Sequence, residues 1–267
     1  MYTVRTARNP MTTVEKEKEL DAPHMSFGEH LEELRVRLLY SCIGVALAIG
    51  FCLFWQKELM FIVSWPHRTT MQGLGQEVSF QVLDYTDRFM IPMKVACIFG
   101  LLMGAPVVLW QMWKFIAAGL YPNERKYIAI VVPISMILFL AGAVFGYLAL
   151  IPMTLKFLAS FGVDWDIYKY DIALDKYLDL FFALTVAAGA IFEIPLVMTF
   201  LSFTGLISPA TFSSWRKMEI MAAAILGAIL TPGGDLISMA SLAVPIVVLY
   251  EVGILCCRLV YRKPAAV

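Results

Sequence analysis

The run YIAIVVPISMILFLAGAVFGYLALIPMTL, Tyr127–Leu155, holds 29 residues without one Asp, Glu, Lys or Arg. A helix needs about 20 apolar residues, rising 1.5 Å each, to cross a hydrocarbon core roughly 30 Å thick. This run is longer than that, so its ends enter the interface or the helix tilts. Pro133 and Pro152 stand near those ends.

Charge-free runs on either side repeat the pattern. Leu38–Trp55 and Val95–Trp113 qualify directly, and Leu180–Phe203 is apolar except for Glu193. Thr231-Pro-Gly-Gly-Asp235 divides the remainder into Lys217–Leu230 and Leu236–Cys257. The expectation is an all-α polytopic membrane protein with six transmembrane helices, at about residues 37–56, 89–113, 127–152, 177–203, 216–231 and 236–257, the last two short. A polar tail over 1–25 precedes the membrane domain of 26–257, and a second tail covers 258–267. The fifth segment, some 15 residues, reaches only about 22 Å, so either the bilayer thins beside it or the last two segments form a re-entrant pair. The start is polar and mixed in charge, and no small-x-small site follows the first apolar run, so the first span is expected to stay in the mature protein.

Composition agrees. The 267 residues are 60% hydrophobic and 16% charged, with a mean hydropathy of +0.75, whereas soluble domains are roughly 45–50% apolar and about 25% charged. Lys+Arg and Asp+Glu both total 21, so no global basic field exists to capture nucleic acid. The five cysteines fall in apolar runs without metal-ligand spacing and read as small hydrophobes. No His-Glu-x-x-His, Gly-x-Ser-x-Gly or phosphate-binding loop occurs, and the three histidines are dispersed, so neither an enzyme nor a cofactor or metal site is expected. Gly-Gly-Asp235 lacks the first glycine of an intramembrane aspartyl protease motif, where Pro232 stands instead.

Lys and Arg near the span ends set orientation. With the N-terminus inside, the inner side holds Arg35, Arg37, Lys114, Arg125, Lys126, Arg216, Lys217, Arg258, Arg262 and Lys263. The outer side holds Lys57, Arg68, Arg88, Lys156, Lys169 and Lys176. Ten against six favours both termini inside. The outer connections, about 56–88 and 156–176, are long and the inner ones short.

Charge then matters by position. Ser26 and Glu29 form a capping box, so a helix starts there, with Phe27, Leu31, Leu34 and Leu38 in one apolar stripe. Glu29, Glu32 and Glu33 make an acidic patch before Arg35 and Arg37. The patch is either a surface for a cationic segment or a solvated face in which Glu33 simply pairs with Arg37 at i,i+4. Glu124, after Pro122-Asn123, adds a carboxylate on the same side, or merely complements a helix dipole. Glu193 is the sharpest residue, since a charge at mid-bilayer costs at least about 2.5–3.5 kcal/mol. Pro195 leaves the carbonyl of Ile191 without its donor, and Gly189 and Ala190 make room beside the carboxyl. Glu193 therefore faces a bundle interior or wet concavity, or is a neutral carboxyl bonded to a neighbouring helix. Lys94 and Glu251 lie close enough to span ends to snorkel, and Asp235 reads as an N-cap at the outer hairpin.

These pieces stand in a definite order: His30-Leu-Glu-Glu-Leu-Arg35, Pro106 with Gln111-Met-Trp113, Gly119-Leu-Tyr-Pro-Asn-Glu-Arg125, Phe192-Glu-Ile-Pro195, Thr231-Pro-Gly-Gly-Asp235, then Pro245 and Tyr250-Glu251. The set resembles the TatC family, the polytopic receptor of the twin-arginine protein translocase, over about residues 26–257. Ala118 departs from the family's usual Pro before Gly-Leu, and Asp87 from its usual Glu. The resemblance implies a cup-shaped bundle in the bacterial inner (cytoplasmic) membrane. It implies binding of twin-arginine signal peptides of folded cargo through Glu33, Leu34, Arg35, Glu124 and Arg125, and an intramembrane contact for partner or signal at Glu193 and Gln111. It further implies assembly with TatA-like and TatB-like single-span proteins, a homo-oligomer within the complex, and export driven by the proton-motive force. The residues alone leave two other classes open: a secondary transporter coupled through Glu193 and Asp235, and a structural membrane scaffold.

Overall fold

The computed structural model describes residues 27–75, 79–120, 125–160, 172–230 and 236–261. Helix α1 (Phe27–Cys52) passes through a 3-10 turn (Leu53–Trp55) into α2 (Gln56–Gly73). After strand β1 (Phe80–Gln81) come α3 (Asp87–Ala118), α4 (Ile128–Phe145), a π-helical turn (Gly146–Leu150) and α5 (Ile151–Ser160). Strand β2 (Ile172–Ala173) leads into α6 (Leu174–Phe192), α7 (Ile194–Phe203), the short α8 (Pro209–Ser214), α9 (Arg216–Leu230) and α10 (Leu236–Val260).

Five helical runs are long and apolar enough to cross a membrane: Gly28–Gly73, Asp87–Ala118, Ile128–Ser160, Leu174–Phe203 and Met239–Val260. They sit where five of the six expected spans lie. The first run has 46 residues, about 69 Å at 1.5 Å each and more than twice what a bilayer core needs. Its second part, α2, carries exposed Lys57, Glu58 and Arg68, so α2 is helix added beyond the expected first span, inside the long connection expected at about 56–88. The fifth expected segment is a helix, α9, but its 15 residues leave it shorter than the others.

Proline and glycine shape these helices. In the third run, Pro152 cannot donate to the turn before it, and the ladder widens to π spacing just ahead, where the Ile151 N–H reaches the Gly146 carbonyl. In the fourth run, α6 ends at Phe192, Glu193 donates to the Ala190 carbonyl at 3.1 Å, and the ladder resumes from Val197 to the Glu193 carbonyl at 2.9 Å. This is the break expected of Pro195. Ser208 caps α8, its hydroxyl accepting from the Thr211 N–H at 3.2 Å ahead of Pro209.

Several buried clusters hold the helices together. At the end remote from Phe27 (the far face), Val63 of α2, Val95 and Ile98 of α3, Leu155 of α5 and Phe181 of α6 share one buried cluster. At the N-terminal face, Trp113 of α3, Val132 of α4 and Phe200 of α7 form another, joined by a third around Tyr250 and Ile254 of α10. Close approach of backbones sets the helix spacing. A Cβ on Gly100 of α3 would lie 2.4 Å from Ile49 Cγ1 of α1, and one on Gly142 of α4 would lie 2.5 Å from the Ala188 carbonyl oxygen of α6. Among the described residues the exception to an all-α fold is a two-residue parallel bridge, Phe80 beside Ile172 and Gln81 beside Ala173, which clips the strand after α2 to the lead-in of α6.

Candidate functional site

The N-terminal face is built by the first turns of α1 lying against the last turns of α3. His30 stacks on Phe115, ring centroids 4.4 Å apart, and Arg37 bridges the two helices. Its Nε and Nη2 donate to Glu33 Oε1 at 2.7 and 2.6 Å, and its Nη1 donates to Gln111 Oε1 at 3.0 Å. The i,i+4 pair is thus formed, and it is tied to α3. Glu33 keeps a quarter of its side chain exposed, while Glu32, Leu34 and Arg35 face outward. Arg125 is exposed at the start of the next helical run. Glu124 and Asp235, like Ser26, lie outside the described residues.

Glu193 sits at the α6–α7 break and is buried, with 8% of its surface exposed. Ser135 of α4, fully buried, donates to Glu193 Oε2 at 2.9 Å. Oε1 is buried and has no hydrogen-bond partner among the described residues. The space beside Gly189 holds Phe139 of α4, whose ring would lie 2.7 Å from an added Cβ. The helix that fills the room is therefore the one that supplies Ser135. Gln111 and Glu193, paired in the expected intramembrane contact, have separate partners: Arg37 for one, Ser135 for the other.

Three further polar groupings escape a reading along the chain. Lys94 of α3 does not snorkel alone but holds Asp175 and Asp179 of α6 at 2.5 and 2.7 Å. Two carboxylates at i,i+4 within a mostly apolar helix were the available signal. Arg216 at the start of α9 makes two contacts with Glu251 of α10, at 2.6 and 2.8 Å. At the far face, His67 of α2 is buried between Phe80 and Tyr177, at 4.2 and 5.5 Å between ring centroids, while the Tyr177 hydroxyl donates to the Val63 carbonyl. Burial, helped by neighbouring Arg68, pushes His67 down from 6.5 to about 4, so it is neutral at physiological pH. Among the described residues no three His, Cys, Asp or Glu side chains come together as a metal site.

Chemically, the arrangement offers a guanidinium-holding carboxylate at one membrane face and a half-satisfied carboxyl within the bundle. Comparison with known proteins supplies the context. Residues 29–245 match the family model described as Sec-independent protein translocase protein (TatC). The chain is 33% identical to the Sec-independent protein translocase protein TatC of Koribacter versatilis, over 90% of this chain and 87% of that one. It is 33% identical to that of Aquifex aeolicus, over 90% and 97%, and 31% identical to TatCy of Bacillus subtilis, over 90% and 91%. A crystal structure of a twin-arginine translocase receptor, TatC, superposes with a TM-score of 0.78 at 32% identity, covering 88% of this chain and all of that one. A second, in DDM, gives 0.76.

Proposed function

Because the chain belongs to the TatC family of Sec-independent protein translocase proteins, we propose that it is the receptor subunit that binds twin-arginine signal peptides of folded cargo at its N-terminal face. The observation that carries this is the Glu33–Arg37 contact: a carboxylate at the membrane entrance, a quarter exposed, already coordinates a guanidinium. A signal arginine would take that place, with Glu124 as a second carboxylate and Leu34, Arg35 and Arg125 around it. Bidentate pairing distinguishes Arg from Lys, because an ammonium lacks the planar fork. The apolar stretch of the signal would follow into the membrane as a helix in a groove.

In this reading α9 is a sixth, short span beside which the bilayer thins, the bundle is a cup, and both termini lie in the cytoplasm of a bacterial-type cell whose inner membrane holds the protein. Glu193 is a polar docking point for TatA-like and TatB-like single-span helices, in a complex containing several copies of this chain and driven by the proton-motive force. The protein acts as a receptor rather than as a catalyst.

Photocrosslinkers placed beside Glu33, Glu124 and Glu193 test the assignment. A twin-arginine precursor should crosslink from the first two, and single-span partners from the third. Undiminished capture of an Arg-Arg signal by Glu33→Ala and Glu124→Ala variants would refute the signal site. Solute uptake by the purified protein alone would favour the coupled transporter.

A further inference from the structure

We propose that the cavity between α1, α3 and α6, toward the far face, is a phospholipid site that selects a primary-amine headgroup, that of phosphatidylethanolamine. It is separate from the N-terminal face and from Glu193.

The cavity has a volume of about 370 Å³. Ile49 of α1, Leu101 of α3 and Phe182 of α6 give it an apolar wall, Cys97 of α3 lies on it, and Lys94 and Asp179 bring charges of both signs to it. At 1.5 Å per residue Asp179 stands about 8 Å, and Lys94 about 10 Å, in from the first residues of α6 and α3. That is the depth at which headgroups give way to hydrocarbon. Among the described residues Asp179 has Lys94 as its one cation, at 2.7 Å, and Asp175 draws on the same ammonium at 2.5 Å. Lys176 assists Asp175 alone, at 4.0 Å. Asp179 is therefore the carboxylate with capacity for a second cation, and with 53% of its side chain exposed a ligand can reach it.

Volume and chemistry choose the occupant. Two turns of a helix about 10 Å across fill roughly 850 Å³, more than twice this cavity, whereas an extended acyl chain is thin enough to lie along its wall. A primary ammonium brings three N–H donors to the Asp179 carboxylate, and a choline brings none. The phosphate beside that amine meets Lys94. A glycerol headgroup carries a net negative charge to the half-exposed carboxylate and is repelled.

The test uses the full chain, delipidated in detergent and titrated with dioleoyl phospholipids bearing ethanolamine, choline or glycerol headgroups. The readout is the rate at which maleimide alkylates Cys97, relative to Cys42, which is exposed on α1 and is not part of the cavity. The ethanolamine lipid should protect Cys97 at a concentration about three- to tenfold lower than the other two require, the worth of a charge-assisted hydrogen bond at a part-exposed site. Asp179→Asn keeps the Lys94–Asp175 contact and should bring the ethanolamine and choline lipids within about twofold of each other, with protection by the choline lipid retained as proof of an intact cavity. Should that variant fail to fold, the N,N-dimethylethanolamine lipid decides on the unaltered protein: it should protect less well than the ethanolamine lipid, and equal protection would overturn the proposal. Equal protection by all three headgroups, an ethanolamine preference that survives Asp179→Asn, or protection of Cys97 by an added single-span protein but by no lipid would each overturn it as well.

Discussion

Replacing Gly142 with alanine should separate α4 from α6 and weaken the protein from its centre. The added Cβ would lie 2.5 Å from the Ala188 carbonyl oxygen, 2.9 Å from Gly189 Cα and 2.9 Å from Phe192 Cβ. Carbon contacts relax at about 3.5–4.0 Å, so roughly 1 Å must be found. Two of the obstructing atoms are backbone, and no rotamer change removes them; the helix has to move. Overpacking of this kind costs about 1–3 kcal/mol, which for a chain of this size lowers the unfolding midpoint by about 2–12 °C. Ser135 lies two turns before Gly142 on the same face of α4, so the same shift lengthens its 2.9 Å bond to Glu193. Thermal unfolding in detergent, followed by thiol labelling of buried Cys52 and Cys257, measures the loss. Gly50→Ala is the control, since nothing lies within 4 Å of a Cβ there; it should be neutral or stabilising by about 0.5–1 kcal/mol. A Gly142→Ala protein as stable as the Gly50→Ala protein would show that α4 and α6 are not in backbone contact.

Lys94→Met removes the counter-charge of Asp179 and leaves Asp175, among the described residues, with only Lys176, at 4.0 Å. The Lys94, Asp175 and Asp179 side chains are a third to a half exposed, so the expected loss is about 1–2 kcal/mol rather than the 3–5 kcal/mol of a fully buried pair. The same melt should show Asp175→Asn with Asp179→Asn restoring most of it, and no recovery would mean that the carboxylates are solvated independently of Lys94. Arg37→Gln removes the guanidinium that competes for Glu33, and binding of a twin-arginine signal should tighten about two- to fivefold, the worth of a part-exposed pair; weaker binding would mean that Arg37 orients Glu33 for the signal. His67 is held down to about 4 in the folded protein against 6.5 when released. The unfolded chain therefore binds the extra proton between those values, and stability that is complete above pH 6.5 falls progressively toward pH 4. His67→Leu should flatten that part of the pH profile in the same assay, and an unchanged profile would place the acid sensitivity elsewhere.

The spans were legible because one physical demand, enough apolar length to cross hydrocarbon, writes itself into consecutive residues: Tyr127–Leu155 shows it without any partner in view. Helix α2 was not legible, because Lys57, Glu58, Arg68 and Pro66 interrupt its apolar positions and its buried face, Val63, His67 and Met71, gains meaning only against α3 and α6. Pro195 announced the break at Glu193, since a missing donor is a local property. Ser135 could not be paired with that carboxyl from sequence. Fifty-eight residues separate them, and what joins them is the backbone approach at Gly142 and Gly189, for which a glycine in a membrane helix is a necessary sign but never a sufficient one.

Glu33 shows how two readings that compete along the chain cease to compete in space. A carboxylate at the membrane entrance without a counter-ion is poorly placed for stability, and the i,i+4 partner Arg37 answers that need. Under the proposed function, the same pair would make signal binding an exchange of one guanidinium for another. An incoming arginine would replace the two contacts Arg37 makes to Glu33, and Arg37 would keep Gln111 on α3, so the exchange would leave no cation stranded. An incoming lysine would displace a forked donor with a point charge and recover only part of what it removes. Either signal evicts Arg37 at the same cost, so discrimination against lysine comes from what the incoming fork recovers at Glu33; replacing Arg37 with glutamine should strengthen binding of both signals by a similar factor and leave their ratio unchanged.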